Sequence, residues 1–462
     1  MPGRYWVETL GCPKNQVDSE KLAGTLEADG LVPADRPEAA DLVVVNTCAF
    51  IEAARDESIN TILALADARA PGSRLVVTGC LAERYGQELA DALPEADLVA
   101  GFGVPVNLMA APLRPGLPGG PAARRSISGG AIVAAEPVPP AEAEPLTPAE
   151  TLPGQAVPAL DLLNLPRPRS TMPWAYVKVA EGCDRKCGFC AIPSFRGRQR
   201  SRPMESILAE VESLGVKEVV LVAQDLASYG RDLGRDGEIL PLVRAVAERV
   251  PRTRLLYLYP SELTDGLIDV IGETGCPYFD LSLQHASKRH LRRMRRWGGA
   301  ERFLERIKTI RSRYPEAAFR SSFIIGYPGE TEEDHDALLH FLAEAELDWA
   351  GFFAYSREEG TFAAGLGDTV DDLLVGERLR ECSELQDGIT ASRRAGLFGD
   401  VVEVLVDGPG VGRSHREAPE IDGIVYIAGP KPGSADRRAA PGQFVAVRVT
   451  DALGVDLEAE VV

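Results

Sequence analysis

The sequence has no run of eighteen or more apolar residues, so we expect no membrane-spanning helix. Its first residues, Met-Pro-Gly-Arg-Tyr-Trp-Val, lack the apolar centre of a signal peptide, and we expect a cytoplasmic protein. Positive charge is also scarce, because 50 lysines and arginines stand against 69 acidic residues, a net charge of −19. Broad nucleic-acid binding depends on positive charge against phosphates, so a basic partner suits this chain better.

Cysteine is rare as well, with eight residues in a chain of 462. In a reducing compartment these residues stay thiols, so we interpret them as candidate metal ligands rather than disulfides. Six of them fall into two groups of three. Cys276 and Cys382 belong to neither group, and we expect both to be ordinary thiols.

The first group, Cys183, Cys187 and Cys190, stands on one short loop with the spacing C-x3-C-x2-C. Zinc sites usually take four ligands in two separated pairs, whereas thiolates are also the ligands of iron–sulfur clusters. A zinc site that lacks one ligand is the alternative. The spacing resembles that of the radical S-adenosylmethionine (SAM) enzymes, in which three cysteines hold a 4Fe–4S cluster and SAM binds the remaining iron.

Residues 1–105 predict a parallel α/β sheet, because apolar strand candidates alternate with helical patterns. The strand candidates are Trp6–Leu10, Asp41–Asn46 and Arg74–Thr78. Cys12, Cys48 and Cys80 each follow one of these strands, and open α/β sheets bind ligands beyond the carboxyl ends of their strands. Three separate buried cysteines are the alternative. We predict a second three-cysteine cluster, which the backbone at Gly11 and Gly79 would approach closely.

Residues 106–170 are rich in proline, alanine and glycine without any period, which predicts a linker. Residues 171–392 then alternate between strand and helix six times, which predicts a partial (βα)6 barrel. The strand candidates are Ala175–Val179, Glu218–Val222, Arg254–Tyr257, Tyr278–Leu283, Phe319–Ile325 and Gly351–Tyr355. The loop of three cysteines follows the first strand, at the end where barrels place their functional residues.

Residues at the ends of these strands, with one neighbour of the cysteines, are our candidates for binding SAM. They are Phe189, Gln224, Gln284, Gly326, Gly329 and Tyr355. Glutamine would bond amine or ribose hydroxyl groups, glycine would let the backbone approach the adenine, and Phe189 would pack against the adenosyl group. The basic run over residues 288–296 is interpreted as a solvated helix face, with a phosphate-binding or acid-binding surface as the alternative.

Residues 393–462 predict a small β-barrel, because short strand patterns are separated by turn residues. The strand candidates are Val401–Val406, Ile421–Ala428, Gln443–Val449 and Leu457–Val462. From residue 397 onward this segment has six positive and eleven negative residues, whereas a barrel that binds RNA should be basic. We expect Glu417, Glu420 and Asp422 to be exposed and to attract a basic protein.

The order of these parts resembles the methylthiotransferases, which join a three-cysteine domain, a radical SAM barrel and a C-terminal TRAM barrel. Residues 11–20, 180–183, 191–197, 224–230 and 417–423 look like the RimO type of this family, which modifies an aspartate of small-subunit ribosomal protein twelve. The linker is longer and richer in proline and alanine than we expect of the family.

That resemblance implies two 4Fe–4S clusters and SAM as cofactors. The cluster on Cys183, Cys187 and Cys190 would cleave SAM, and the resulting radical would take hydrogen from the β-carbon of the aspartate. The cluster on the N-terminal cysteines would supply sulfur, and a second SAM would supply the methyl group. The implied partners are a basic ribosomal protein, an electron donor such as flavodoxin and a sulfur donor; we expect a monomer that takes no nucleic acid as substrate.

Two other functions stay open from the sequence. The MiaB-type methylthiotransferases perform the same chemistry on an adenosine of tRNA, and tight tRNA binding would favour them. A non-catalytic iron–sulfur protein for electron transfer or cluster assembly would also explain six cysteine ligands. It would not explain six βα units with polar strand ends, and release of 5′-deoxyadenosine from SAM would exclude it.

Overall fold

The computed structural model describes residues 2–106, 161–429 and 439–462, and the chain divides into two compact units, residues 1–165 and 166–462. Most of the predicted linker, residues 107–160, lies outside the described residues. Within the described ranges, no helix combines the length and the apolar character needed to cross a membrane.

The first unit is a five-stranded parallel sheet with helices between its strands, as the sequence predicts. In chain order its elements are β1 (Arg4–Thr9), α1 (Pro13–Ala28), β2 (Val32–Pro33), β3 (Leu42–Thr47), α2 (Glu52–Ala68), β4 (Arg74–Gly79), α3 (Cys80–Ala92) and β5 (Leu98–Val99). The strand order is β2-β1-β3-β4-β5. The two edge strands were not predicted, because two residues are too few to show a pattern.

The central strand β3 explains why this sheet forms. All six of its residues, Leu-Val-Val-Val-Asn-Thr, are buried, which is typical of a parallel strand covered on both faces. Leu22 and Leu26 of α1 belong to the same buried cluster as Leu42 and Val44. The start of the described segment after residue 160 also belongs to this unit, since the buried Lys21 ammonium donates to the Leu163 carbonyl at 2.7 Å.

The second unit begins with six parallel strands, each followed by helical or 3-10 segments. Its elements are β6 (Trp174–Lys178), β7 (Ala180–Glu181), α4 (Ile192–Phe195), β8 (Arg200–Ser201), α5 (Met204–Leu214), β9 (Glu218–Val222), α6 (Ile239–Ala247), β10 (Arg252–Leu255), α7 (Asp265–Glu273), β11 (Tyr278–Gln284), α8 (Lys288–Arg293), α9 (Ala300–Arg313), β12 (Ala318–Ile325), α10 (Glu332–Ala345), β13 (Trp349–Ala354) and α11 (Asp372–Ala395). Strands β10-β9-β6 and β11-β12-β13 form two sheets, and a bridge between Leu258 and Leu281 joins them. The predicted partial (βα)6 barrel is confirmed; the short β7–β8 ladder was not predicted.

The C-terminal part of the second unit is a closed five-stranded barrel, which confirms the predicted small β-barrel. Its strands are β14 (Val401–Gly408), β15 (Val411–Arg413), β16 (Val425–Ile427), β17 (Phe444–Leu453) and β18 (Asp456–Val461), closed in the order β14-β15-β16-β18-β17. Alternate apolar residues such as Val404, Val447 and Leu457 fill its interior. Strand β15 was not predicted, because only three residues of it pair.

This small barrel packs against the N-terminal ends of the (βα)6 strands. Glu218, the first residue of β9, is fully buried and binds Arg413 of β15 at 2.9 Å and Arg254 of β10 at 2.8 Å. The indole of Trp349, the first residue of β13, donates to the Arg416 carbonyl at 2.7 Å. The small barrel therefore lies at the end of the strands opposite to the cysteine loop.

The predicted exposure of the acidic residues before β16 is wrong for two of three. The Glu417 carboxylate is fully buried and accepts hydrogen bonds from Arg394 and from both donors of Ser414. The Asp422 side chain is 2% exposed and lies 3.4 Å from the Arg320 guanidinium. Only Glu420 is exposed. Polar residues in a turn-rich stretch look solvated in the sequence, but here their partners come from the (βα)6 barrel.

Candidate iron–sulfur sites

The loop over residues 183–190 leaves β6 at its C-terminal end, as the sequence predicts. Two backbone hydrogen bonds fix its position. The Cys183 N–H donates to the Gly197 carbonyl at 3.1 Å, and the Gly188 N–H donates to the Met294 carbonyl at 2.8 Å. The chain just after the loop therefore holds its first half in place, and a segment about 100 residues away holds its second half.

Two of the three thiols in this loop accept N–H groups, the pattern expected around thiolate ligands. The Cys183 sulfur accepts the backbone N–H of Arg185, and the Cys187 sulfur accepts Nη1 of Arg296, both at 3.4 Å. Burial raises the pKa of Cys183 to about 11 and that of Cys190 to about 12. Binding a metal cluster would therefore have to displace protons from these two thiols.

In neither group of cysteines do all three sulfur atoms lie within 4.8 Å of one another. Among the described residues, the one trio of ligand atoms that all lie within 4.8 Å of one another is His285, His290 and Glu330. The wider spacing of the cysteines does not favour a single zinc ion, and a multi-iron cluster bridges more distant sulfurs. In the trio, His285 Nδ1 accepts the Ser287 N–H at 3.0 Å, so the neutral ring carries its proton on Nε2. A metal at Nε2 would displace that proton, so this trio is not a prepared metal site.

Glu181, just before the cysteines, organises the polar groups at the strand ends. Its carboxylate binds Lys178 at 2.7 Å, Arg196 at 3.0 Å and the Gln224 amide at 2.6 Å. Burial alone would raise the pKa of Glu181, but the charges of Arg196 and Lys178 outweigh it and hold that pKa well below its usual value. A charged Glu181 therefore orients Gln224, one of the residues predicted to bind SAM.

Arg185, within the cysteine loop, reaches the ends of the second and third barrel strands. Its guanidinium binds Asp225 at 2.5 Å and Glu262 at 3.0 Å, and it stacks 4.0 Å from the ring centroid of Tyr259. Ser228 Oγ donates to the same Asp225 carboxylate at 2.6 Å. This network ties the loop to two neighbouring strand ends.

The structure places the residues predicted to bind SAM at the C-terminal ends of the barrel strands or beside them. Phe189 is partly buried against the barrel core, and Gln284 ends β11 with φ 71°, outside the usual range for a side-chain-bearing residue. Gly326 and Gly329 follow β12, where their N–H groups donate to the Glu330 carboxylate at 2.5 Å and to the Asp368 carbonyl at 2.6 Å. Whether any of the six residues predicted to bind SAM touches it stays a prediction.

Among the described residues, three buried polar atoms in the residues just after β9 and β13 have no hydrogen-bond partner. They are Gln224 Oε1, Asp225 Oδ1 and the Tyr355 hydroxyl oxygen. A buried polar atom without a partner is costly, so each of these atoms favours a polar ligand that would complete its bonding. An amine and hydroxyl groups, which SAM carries, would do this. The residues present therefore fit both an iron–sulfur cluster and SAM.

Asn15, a fully buried residue of α1, lies beside two of the N-terminal cysteines. The Asn15 amide donates to the carbonyls of Leu10 at 2.8 Å and Thr47 at 3.0 Å, and its Oδ1 lies 3.6 Å from the Cys80 sulfur. The Asn15 N–H donates to the Cys12 carbonyl at 2.8 Å. Asn15 thus connects the ends of three strands, which are the positions predicted for the second cluster.

Two glycines and the N-termini of two helices make this second site suitable for thiolate ligands. At Gly11, φ is +96°, and an added Cβ would lie 2.8 Å from the Cys48 Cβ; at Gly79, φ is +91°, and an added Cβ would meet Asn46 at 2.3 Å. Cys12 precedes α1 and Cys80 begins α3, so both stand at the positive ends of helix dipoles. Such positions favour the thiolate over the thiol. That the three cysteines hold a cluster stays a prediction.

The two remaining cysteines behave as predicted. Cys276 and Cys382 are both fully buried. Burial raises the pKa of both thiols, that of Cys382 to about 12. Both are therefore inert core residues. The residues that sequence analysis missed are Asn15, Glu181, Arg185, Tyr259 and Arg296; only their closeness to the cysteines in the sequence could have marked the first three.

Three family models match the chain. Residues 4–101 match "Uncharacterized protein family UPF0004", residues 177–342 match the radical SAM superfamily, and residues 398–462 match the TRAM domain. The solved structures that resemble the chain include the radical SAM methyltransferase TsrM from Kitasatospora setae, with a TM-score of 0.43 and 15% identity over 78% of this chain and 73% of that one.

Curated relatives match over nearly the full length. The "Ribosomal protein uS12 methylthiotransferase RimO" of Streptomyces coelicolor is 44% identical over 98% of this chain and 95% of its own length. The protein of the same name from Salinispora tropica is 43% identical over 99% of this chain and 95% of its own, and that from Moorella thermoacetica is 43% identical over 97% and 96%.

Proposed function

Because this chain belongs to the RimO family of ribosomal protein uS12 methylthiotransferases, we propose that it adds a methylthio group to the β-carbon of an aspartate of uS12. The observation that carries the proposal is the pair of cysteine triads, each placed at the carboxyl ends of parallel strands. An electron-transfer protein could use both cysteine triads but would have no need of six βα units with polar strand ends.

The chain's own residues have separate tasks in this reaction. Cys183, Cys187 and Cys190 would hold one 4Fe–4S cluster, and Cys12, Cys48 and Cys80 the other. When bound, the two clusters and SAM supply the one-electron chemistry, the sulfur and the methyl group. Polar groups at the strand ends, including Gln224 and Tyr355, would bind and orient SAM, and the buried surroundings would exclude water.

The surface of the small barrel supports a basic protein substrate. Within the described ranges, its exposed acidic residues are Asp400, Glu403, Glu420, Asp451 and Glu458. Arg448 is the one exposed cation among the described residues of this barrel. Glu417, Asp422 and Asp407 are instead paired with arginine side chains inside the protein. The negative charge that this surface offers a substrate is therefore smaller than the count of acidic residues in the sequence suggests, but the surface is still acidic.

Two of these acids face each other across the strand pair β17–β18. Asp451 is the registered partner of Glu458, and both side chains are exposed. Like charges directly opposite each other on neighbouring strands destabilise a sheet. A cationic side chain of a partner would remove that repulsion, so we place the docking point for basic uS12 at this pair.

Mass spectrometry of uS12 tests the proposed reaction directly. Cells with the gene should contain methylthiolated uS12, and cells without it should contain the unmodified protein. The variant Cys183→Ala should fail to restore the modification, because the loop would lack one cluster ligand. Unmodified uS12 in wild-type cells, together with methylthiolated tRNA that disappears with the gene, would replace this proposal with the tRNA reaction.

Charge reversal tests the docking point. Asp451→Lys/Glu458→Lys should weaken binding of purified uS12, most strongly at low salt where screening is weak. Glu301→Lys/Glu305→Lys on the exposed face of α9 changes charge by the same amount and is the matched control. Equal loss of affinity in both variants would show that only overall charge matters and would remove the docking point.

The oligomeric state, the cellular location, the electron donor and the sulfur donor are also our proposals. The protein would act as a monomer in the cytoplasm. It would receive electrons from a donor such as flavodoxin and sulfur from a separate donor. Size-exclusion chromatography with light scattering tests the monomer. Reduction of the purified, cluster-loaded protein by flavodoxin tests the electron donor.

A further inference from the structure

Arg296 is the last residue of the basic run that sequence analysis interprets as a solvated face, yet it is only 8% exposed. Its side chain reaches into the (βα)6 barrel and donates Nη1 to the Cys187 sulfur at 3.4 Å. Its Nη2 donates to the Ser282 carbonyl at the end of β11. The guanidinium therefore connects a strand end to one of the three cysteines.

An aromatic ring holds this guanidinium in position. Arg296 lies 3.9 Å from the ring centroid of Tyr259, and Arg185 lies 4.0 Å from the same centroid. Arg185 is neutralised by Asp225 and Glu262 at 2.5 and 3.0 Å. No carboxylate pairs with Arg296 among the ion pairs of the described residues, so its positive charge remains directed at the cysteine loop.

We propose that Arg296 is a positioning residue that holds the Cys187 thiolate through a charge-assisted N–H···S hydrogen bond and raises the reduction potential of the cluster on that loop. The proposal rests on the proposed cluster at Cys183, Cys187 and Cys190 but not on the identity of the substrate. Reduction adds an electron to the cluster. A nearby cation and a hydrogen bond to a ligand sulfur both stabilise the reduced form.

The expected size follows from the hydrogen bond. Bonds that involve a charged group contribute enough to change an equilibrium about tenfold. A tenfold change in a one-electron equilibrium corresponds to about 59 mV. Arg296→Gln should therefore lower the midpoint potential by about this amount, and Arg296→Lys, which keeps the charge but loses the planar fork, should lower it by less.

The measurement uses the full chain with Cys12, Cys48 and Cys80 changed to Ala, so that one cluster remains to be observed. After anaerobic reconstitution, iron content shows whether the cluster is bound, and a redox titration followed by electron paramagnetic resonance gives its potential. Arg292→Gln, which changes an exposed arginine of α8 four residues before Arg296, is the matched control. Thermal unfolding of each variant separates a loss of stability from a change in potential.

The outcomes are distinct. A lower potential in Arg296→Gln with unchanged iron supports the proposal, as does loss of iron in that variant when Arg296→Lys retains it. A potential equal to that of Arg292→Gln, with full iron, would overturn it, even if the protein is less stable, because Arg296 would then only support the fold. Loss of iron from both Arg296 variants together with lowered melting temperatures would overturn it too. Absence of iron before Arg296 is changed would instead refute the cluster assignment on which the proposed function depends.

Discussion

Glu417→Gln is expected to loosen the contact between the small barrel and the (βα)6 barrel. The carboxylate is fully buried, and it accepts hydrogen bonds from Arg394 and from the N–H and hydroxyl of Ser414 at 2.7 and 2.6 Å. The amide would leave the guanidinium of Arg394, whose side chain is 3% exposed, without its counter-charge. Removing one partner of a buried ion pair costs about 3 to 5 kcal/mol.

The pKa of Glu417 agrees with this direction. Burial alone would raise this pKa, but the charge of Arg394 and the hydrogen bonds from Ser414 lower it to about 2. A folded-state pKa below the unfolded value means that the ionised carboxylate stabilises the folded protein. Because the folded pKa is the lower one, this stability is present above about pH 4.5 and is lost as the pH falls towards about 2.

Hydrogen exchange followed by mass spectrometry can detect the change locally. Peptides that cover residues 411–428 should exchange about 100-fold faster in Glu417→Gln at neutral pH, since each 1.4 kcal/mol is a factor of ten. Glu420→Gln, three residues away and exposed, is the matched control and should exchange at the wild-type rate. Wild-type exchange in Glu417→Gln, or equal acceleration in both variants, would refute the argument that this buried pair holds the two barrels together.

Three further predictions concern the cysteine sites. Changing Cys183, Cys187 and Cys190 together to Ala should leave about half of the bound iron, because the sites are independent; iron analysis after reconstitution that finds none or all would count against two sites. Cys12→Ala, Cys48→Ala or Cys80→Ala should abolish methylthiolation while chromatography still detects 5′-deoxyadenosine, and loss of that product would contradict the division of tasks. Asn15→Leu should release iron from the N-terminal site, because its amide links the carbonyls of Leu10 and Thr47 and its Oδ1 lies beside the Cys80 sulfur. The exposed Asn60→Leu should retain the iron, and equal retention in both variants would remove Asn15 from that site.

The fold was largely predictable because its signal is local. Buried parallel strands such as β3 appear in the sequence as continuous apolar runs, and the cysteines that follow them need no knowledge of tertiary contacts. The site's supporting residues were not predictable in the same way. Asn15 and Cys80 are 65 positions apart, and Arg296 and Cys187 are 109 apart. No pattern within one segment indicates that such residues meet.

The error at Glu417 and Asp422 has the same physical origin. A charged residue in a turn is exposed unless another part of the chain supplies an opposite charge, and Arg394 and Arg320 do so here. Arg296 was likewise interpreted as part of a solvated face, because the sequence does not show its contact with Cys187. In each case the sequence shows that the residue is charged, but it does not show the distant partner that stabilises the residue when it is buried.

The location of the small barrel sets a minimum reach for the substrate. It covers the N-terminal ends of the (βα)6 strands, while the cysteine loop lies at their C-terminal ends. The longest of these strands, β12, has eight residues and spans about 26 Å at about 3.3 Å per residue. A peptide of fewer than about eight residues around the target aspartate cannot span that distance even when fully extended. Peptides below that length should therefore be methylthiolated equally well with and without the small barrel. A longer or folded partner can contact both ends of the enzyme, so that the distance between them helps to select one aspartate among many.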